Sequence, residues 1–343
     1  MSSVWFLDGT KGFSPHRLKE KPTGGIITSL TVIPRHLART GWDVSVISAH
    51  EAVEEVDGVK YSQKLPEGVP DIVVFNRNVV NRSLIHYFKA SRKIWWLHDI
   101  VDHRYLEDDG FLYVNKIIAL SHYCVASYSD FYEIARNKFH VIPNGVDTEL
   151  FHVKQTKRNS ALFICASAAI KGFYPLEFAF HNLKRMNPRV ELRLYSSQKL
   201  HDLDDSARSL TQFEQLRGQG VSVRDPIPQK ELADVMREAR GLLMPNHYPE
   251  ICSNLLLQAQ ACGLPVIGVP IGSTPEFIEH GVTGLMTRTG PSDMFWWWKD
   301  YASKCVALMK DDGLYNRISE NAPKSPKSWD VIGEQWNDML KGV

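Results

Sequence analysis

Glu250 and Gln258 stand eight residues apart, the acid at the mouth of an amphipathic segment and the amide within it. Leu242 to Met244 reads as a buried strand and Pro245 to Ser253 as a polar connection. A helix follows from about Asn254 to Cys262, with Leu255, Leu256, Ala259 and Cys262 on one buried face. Gly263 ends it. The amides that open such a helix, around Cys252, Ser253, Asn254 and Leu255, favour a phosphate at the carboxyl end of the preceding strand, because the helix dipole is positive there. Glu250 lies at the same mouth. An acid after Pro249 is equally suited to capping the helix, and both readings stand at this level.

Other residues fit the same chemistry. Lys171-Gly172 follows the strand Ala161–Cys165 and a small-residue turn, where a lysine sets a point charge on a diphosphate as the leaving group gains charge. A solvated lysine is the alternative. Gly272-Ser273-Thr274-Pro275-Glu276 resembles the loop that closes over the donor in a glycosyltransferase family, and that resemblance implies the Ser273 and Thr274 amides as phosphate donors. Thr23-Gly24-Gly25 precedes a helix running to about Thr40, and Gly24 and Gly25 let backbone approach a phosphate without a Cβ in the way. Pro34 should kink that helix. His98 ends the apolar strand Ile94–Leu97, at the edge where open sheets bind ligands; satisfaction by a backbone carbonyl is the alternative. The loop Lys11–Lys21 holds Lys11, His16, Arg17, Lys19 and Lys21 against the single acid Glu20. His16, Arg17 and Lys19 are therefore candidates for an anionic acceptor.

Positioning these residues takes two sheets. Short apolar strands alternate with amphipathic helices throughout, the pattern of doubly wound parallel sheets: Val4–Leu7, Val44–Ser48, Ile72–Phe75 and Ile94–Leu97, then Ala161–Cys165, Glu191–Tyr195, Leu242–Met244 and Val266–Gly268. The break falls at Val141-Ile-Pro-Asn-Gly-Val-Asp147, where Pro143 and Asn144-Gly145 punctuate the chain. After Pro323 to Pro326, a final helix carries Trp329, Ile332, Trp336, Met339 and Leu340 at a spacing that needs a partner surface. The aromatic run Phe295–Trp298 cannot hide on one helix face, so part of it is expected against membrane or a partner.

Composition narrows the class. Forty Lys and Arg against 39 Asp and Glu give a net charge of +1, with no global field to recruit nucleic acid. Five scattered cysteines without a C-x-x-C pair point to reduced thiols rather than disulfides or zinc. The amino terminus lacks the order of a signal peptide, and no apolar run approaches the roughly 20 residues that span a bilayer. The chain is expected in the cytosol, with peripheral contact at the inner membrane face as a further expectation.

The segment Pro245–Leu285 resembles the E-x7-E signature of retaining glycosyltransferases of family 4, and Val141–Asp147 resembles that family's inter-domain junction. The likeness implies a GT-B fold, an α/β architecture of two Rossmann-like doubly wound parallel-sheet domains facing a cleft. The implied boundaries are 1–145 for the acceptor side, 146–325 for the nucleotide-sugar side, and 326–343 for a helix returning to the first domain. The implied reaction moves a hexose from a nucleotide diphosphate sugar to a glycan or lipid-linked acceptor, with retention, an α-linkage and no metal or other cofactor. In that pattern Glu250 contacts a hydroxyl of the transferred sugar, Gln258 the nucleotide ribose, His98 the sugar, and Lys171 with Gly172 the diphosphate. Two departures stand out: the second acid of the signature is the amide Gln258, and an arginine usual five residues before the lysine is Ala166. They are the best support for one rival, a non-catalytic sugar-nucleotide-binding partner of an active transferase; a GT-B sugar-nucleotide epimerase is a second rival, against which the Ile142–Asp147 and Glu250–Gln258 segments favour transfer. Asp202-Leu203-Asp204, whose D-x-D spacing could hold a metal, reads as part of a polar run.

Overall fold

Val, Ile, Phe and Trp fill the short strands on both faces, which suits sheets covered by helices on either side. The structure, a computed structural model, describes residues 2–10, 13–50, 52–77, 80–101, 109–166, 169–195 and 220–342. Lys11, Asp202 and Asp204 lie outside them. The chain divides into two units, one of Met1–Leu18, Gly24–Gly145 and Ser328–Val343, the other of Lys19–Thr23 and Val146–Lys327.

The first unit is built on strands β1 (Ser3–Leu7), β2 (Asp43–Ile47), β3 (Glu54–Val56), β4 (Val59–Ser62), β5 (Ile72–Asn76), β6 (Arg92–Trp96), β7 (Lys116–Ala119) and β8 (Phe139–Val141). Their order is β3-β4-β2-β1-β5-β6-β7-β8. The pairings are parallel except for β3 with β4, which Asp57-Gly58 joins in a two-residue turn with positive φ at both positions. Order reverses at β1, whose neighbours are β2 and β5. Helix Gly25–Arg39 runs through Pro34 without interruption. Helix Trp329–Lys341 packs on it. Gly333 permits that contact, since a Cβ there would stand 2.2 Å from the His36 ring. His36 meets Glu334 at 3.0 Å, and the Trp42 indole donates to Asn337 at 3.0 Å. Trp336 lies edge-on to Trp96, with ring centres 4.7 Å apart, and both are fully buried.

The second unit holds a parallel sheet of β9 (Leu162–Cys165), β10 (Glu191–Leu194), β11 (Val221–Val223), β12 (Gly241–Leu243), β13 (Val266–Gly268) and β14 (Leu285–Met286). Its order is β11-β10-β9-β12-β13-β14. The chain steps outward from β9 and then returns to its other side at β12, so the reversal of order lies between these two strands. Helices Ala169–Met186 and Met294–Lys310 pack together over a core that includes Phe163, Phe180, Trp297 and Tyr301. In the Phe295–Trp298 run, Trp297 is core, Trp298 is partly buried against it, and Trp296 is 60% exposed beside Lys299. All five cysteines are buried and unbridged. Among the described residues no helix is long and apolar enough to cross a membrane.

Candidate active site

Open parallel sheets bind ligands outside the carboxyl ends of their strands, where the order reverses. In the second unit that place is the ends of β9 and β12, and the two segments leaving it carry Lys171 and Glu250. Lys171 occupies the first turn of helix Ala169–Met186. Its carbonyl accepts from the His247 amide at 2.9 Å. Gly172 makes this approach possible, because a Cβ there would stand 3.0 Å from the Pro245 carbonyl oxygen. The result is an ion pair between Lys171 Nζ and Glu250 Oε1 at 2.8 Å. Asn246 donates to the same oxygen at 3.3 Å, leaving Oε2 without a partner among the described residues. The Tyr248 ring lies 5.7 Å from Lys171 Nζ.

The helix expected from Asn254 runs Asn254–Ala261, and Ser253 caps it, accepting from the Leu256 amide. Glu250 is therefore not the cap. Burial also differs from the expected single face. Leu256, Leu257, Gln258, Ala259, Gln260 and Ala261 are all buried, while Leu255 is only partly so, because the helix is wedged against several elements rather than laid on one. Gln258 is 9% exposed, and its side-chain amide makes no hydrogen bond among the described residues. Cys252, just before the capping Ser253, is buried.

The loop after β13 closes this side. Gly272, with φ of +62°, lies directly against Glu250. The Ser273 and Thr274 amides, expected as phosphate donors, are taken within the chain, by the carbonyls of Glu250 at 2.8 Å and Ile271 at 3.3 Å. Ser273 offers its hydroxyl instead. That oxygen, Asn246 Oδ1 and Asn254 Oδ1 are buried without hydrogen-bond partners. Buried polar atoms are nearly always satisfied, so three such atoms on the segments around Glu250 mark unused bonding capacity. Ala166, at the end of β9, supplies no second cation.

The first unit holds the other candidates except Lys19, which groups with the second. His98 is half-buried two residues beyond β6, its ring tilted on Trp96 at 4.3 Å. Burial, reinforced by the nearby Arg77 guanidinium, pushes its imidazole down to about 3, so it is neutral near pH 7, and its buried Nε2 has no partner. The backbone-satisfied reading leaves that nitrogen unaccounted for. Arg77 is held by Asp99 at 2.6 Å. At the reversal of this sheet, Asn76 donates to buried Asp8 at 2.7 Å, and burial raises the Asp8 carboxyl above its usual range. Gly24 is the N-cap of helix Gly25–Arg39 and brings no side chain over the first-turn amides. Of the acceptor candidates, His16 bonds Glu54 at 3.0 Å and Arg17 is buried at 4% exposure, so neither is displayed as a free cation. Lys19 lies in the short helix Arg17–Glu20. Asn246, Asp8, Asn76 and Arg77 were not singled out by sequence. Asn246 had one available signal, its place in the same polar connection as Glu250.

Two doubly wound parallel-sheet units, one with a lysine–glutamate pair and a capped helix start at its order reversal, define the GT-B class of α/β fold. Residues 158–311, within the second unit, match the family model described as Glycosyl transferases group 1. Sucrose-phosphate synthase from Thermosynechococcus elongatus superposes with a TM-score of 0.78 at 15% identity, covering 100% of this chain and 99% of that one. Anabaena HepE in complex with UDP and glucose gives 0.75 at 17% identity, covering 100% of both. A D-inositol 3-phosphate glycosyltransferase of Streptomyces bingchenggensis is 34% identical over 122 residues, 35% of this chain and 25% of that protein. An alpha-maltose-1-phosphate synthase of Mycobacterium tuberculosis is 23% identical over 257 residues, 70% of this chain and 66% of that protein. These curated relatives are thus matched over less than two thirds of their length.

Proposed function

We propose that the protein is a retaining glycosyltransferase that moves a hexose from a nucleotide diphosphate sugar to a hydroxyl of a glycan or lipid-linked acceptor. The observation that carries this reading is the Lys171–Glu250 pair at the β9/β12 reversal, with the unpartnered atoms Asn246 Oδ1, Asn254 Oδ1 and Ser273 Oγ on the same and adjoining segments. Two chemistries meet there: a cation and helix-start amides for a diphosphate, and a carboxylate with a free oxygen for a sugar hydroxyl. That Anabaena HepE has been solved with UDP and with UDP-glucose supports a donor of this kind.

The reaction breaks the bond from the anomeric carbon to the phosphate oxygen and forms one to the acceptor oxygen on the same face. The acceptor proton passes to the departing phosphate, so no protein nucleophile is required. Lys171 and the amides before Leu255 stabilise charge on the leaving diphosphate, and Glu250 orients the sugar through Oε2. No metal takes part in this scheme.

A second reading, a non-catalytic sugar-nucleotide-binding subunit, is favoured by Ala166 and by the uncharged, unengaged Gln258 side chain. A thermal-shift screen of UDP, GDP, ADP and dTDP and their sugars separates the outcomes when combined with a donor-turnover assay. A cognate ligand at a hundredfold excess over its Kd stabilises the protein by about 2.7 kcal/mol. Stabilisation with turnover and retained anomeric configuration supports transfer; stabilisation without turnover on any hydroxylated acceptor supports the subunit. A shift with none of these ligands overturns both.

A further inference from the structure

We propose that the Lys171–Glu250 ion pair makes this site prefer the sugar nucleotide over its bare nucleoside diphosphate, and thereby helps expel the product. The inference rests on the functional reading above. Lys171 Nζ lies 2.8 Å from Glu250 Oε1, with the carboxylate side chain only 15% exposed and the lysine 34%. A diphosphate that engages Lys171 takes it from Glu250. The carboxylate is then left with the single Asn246 amide, in a place with little water, and a buried charge that loses its partner costs more than the intact pair contributes.

A bare nucleoside diphosphate cannot offset that cost. Its phosphates are anions and have nothing to donate to a carboxylate, so they add repulsion. A sugar nucleotide brings hydroxyl donors on the same molecule and supplies Glu250 with a new partner as Lys171 turns to the phosphates. Each ion of the pair is thus compensated by one arm of the ligand. Transfer removes the sugar arm, and the pair re-forms in competition with the diphosphate that remains. The exchange needs only side-chain motion, since the His247–Lys171 backbone bond and the Gly172–Pro245 contact hold the two main chains together.

Isothermal titration of UDP and UDP-glucose, with the GDP/GDP-mannose and ADP/ADP-glucose pairs alongside, tests this in wild type, Glu250→Gln, Lys171→Met and the double variant. Ligand-observed NMR reads affinities too weak for heat. In wild type the sugar nucleotide should bind about tenfold or more tightly than its diphosphate, and Glu250→Gln should tighten the diphosphate about tenfold and collapse that preference. In the Lys171→Met background the same change should give a clearly smaller gain, that of relieved repulsion alone. An unchanged diphosphate affinity in Glu250→Gln overturns the proposal. An equal gain with and without Lys171 also overturns it, because simple repulsion by the carboxylate then suffices. Glu250→Ala, measured the same way, replaces Glu250→Gln if that variant melts below the assay temperature. If wild type binds neither these six ligands nor dTDP and its sugar, the functional reading falls and the inference with it.

Discussion

Gly272 and Glu250 touch through their backbones: a Cβ on residue 272 would stand 2.5 Å from the Glu250 carbonyl oxygen and 2.7 Å from its nitrogen. The Ser273 amide bonds that same carbonyl at 2.8 Å. The loop after β13 therefore sets the main chain from which the proposed sugar-orienting carboxylate projects.

Gly272→Ala should displace this loop for two reasons that add. Positive φ costs alanine about 1 kcal/mol, and the clash is with backbone, which has no rotamer by which to escape. We expect a lower melting temperature and a larger loss in kcat/KM than in stability. A variant with wild-type melting and turnover would show that the contact does not position Glu250.

Ser253→Ala removes the cap of helix Asn254–Ala261 and should cost about 1 kcal/mol in denaturant unfolding. Ser253→Asp should restore most of that stability, since its carboxylate also accepts an amide hydrogen. It should nonetheless weaken nucleoside diphosphate binding, because it brings negative charge to the helix start where the phosphates are placed. Equal diphosphate affinity in the two variants would move the phosphates elsewhere.

His98 gives a pH signature. Its folded value is about 3 against an unfolded 6.5, so between these values the unfolded chain binds a proton that the native chain refuses. Stability from this group is fully present above about pH 6.5 and is lost as pH falls toward 3. At pH 5 the loss is at most about 2 kcal/mol, reduced by the partial exposure of the ring. His98→Phe should flatten the melting profile between pH 7 and 5. Parallel profiles would mean that the imidazole titrates normally.

Transfer should survive excess EDTA, because Lys171 and the helix-start amides are assigned the leaving-group charge. Loss of activity restored by manganese or magnesium would assign that charge to a cation, with Asp202 and Asp204 the first residues to substitute.

Several strands that organise both sheets were legible as apolar runs: Val4–Leu7 lies within Ser3–Leu7, and Val266–Gly268 is unchanged, whereas the interior strand Lys116–Ala119 was missed. Edge strands escaped because they are short or polar. Glu54–Val56 carries two acids, and Leu285–Met286 has only two residues, too few for any period to show. Glu250 and Lys171 were readable from their neighbours, whereas the 2.8 Å bond between them was not, because it depends on Gly172 meeting Pro245 across the fold. Gly272 could be seen as a turn residue, yet the backbone it must avoid is a tertiary fact. The engaged Ser273 and Thr274 amides were misjudged for the same reason: sequence shows which groups can donate, not which have already been taken.

Trp336, buried against Trp96 and Phe6, ties the first unit to residues made long after its sheet. During synthesis all of β1 to β8 emerges from the ribosome before the second unit, and must wait through residues 146–327 for the helix that covers Phe6 and Trp96. The second unit has no such debt and can close first. Nascent chains halted between Lys327 and Trp336 should therefore present an exposed aromatic face to chaperones, and the order of folding should run opposite to the order of translation.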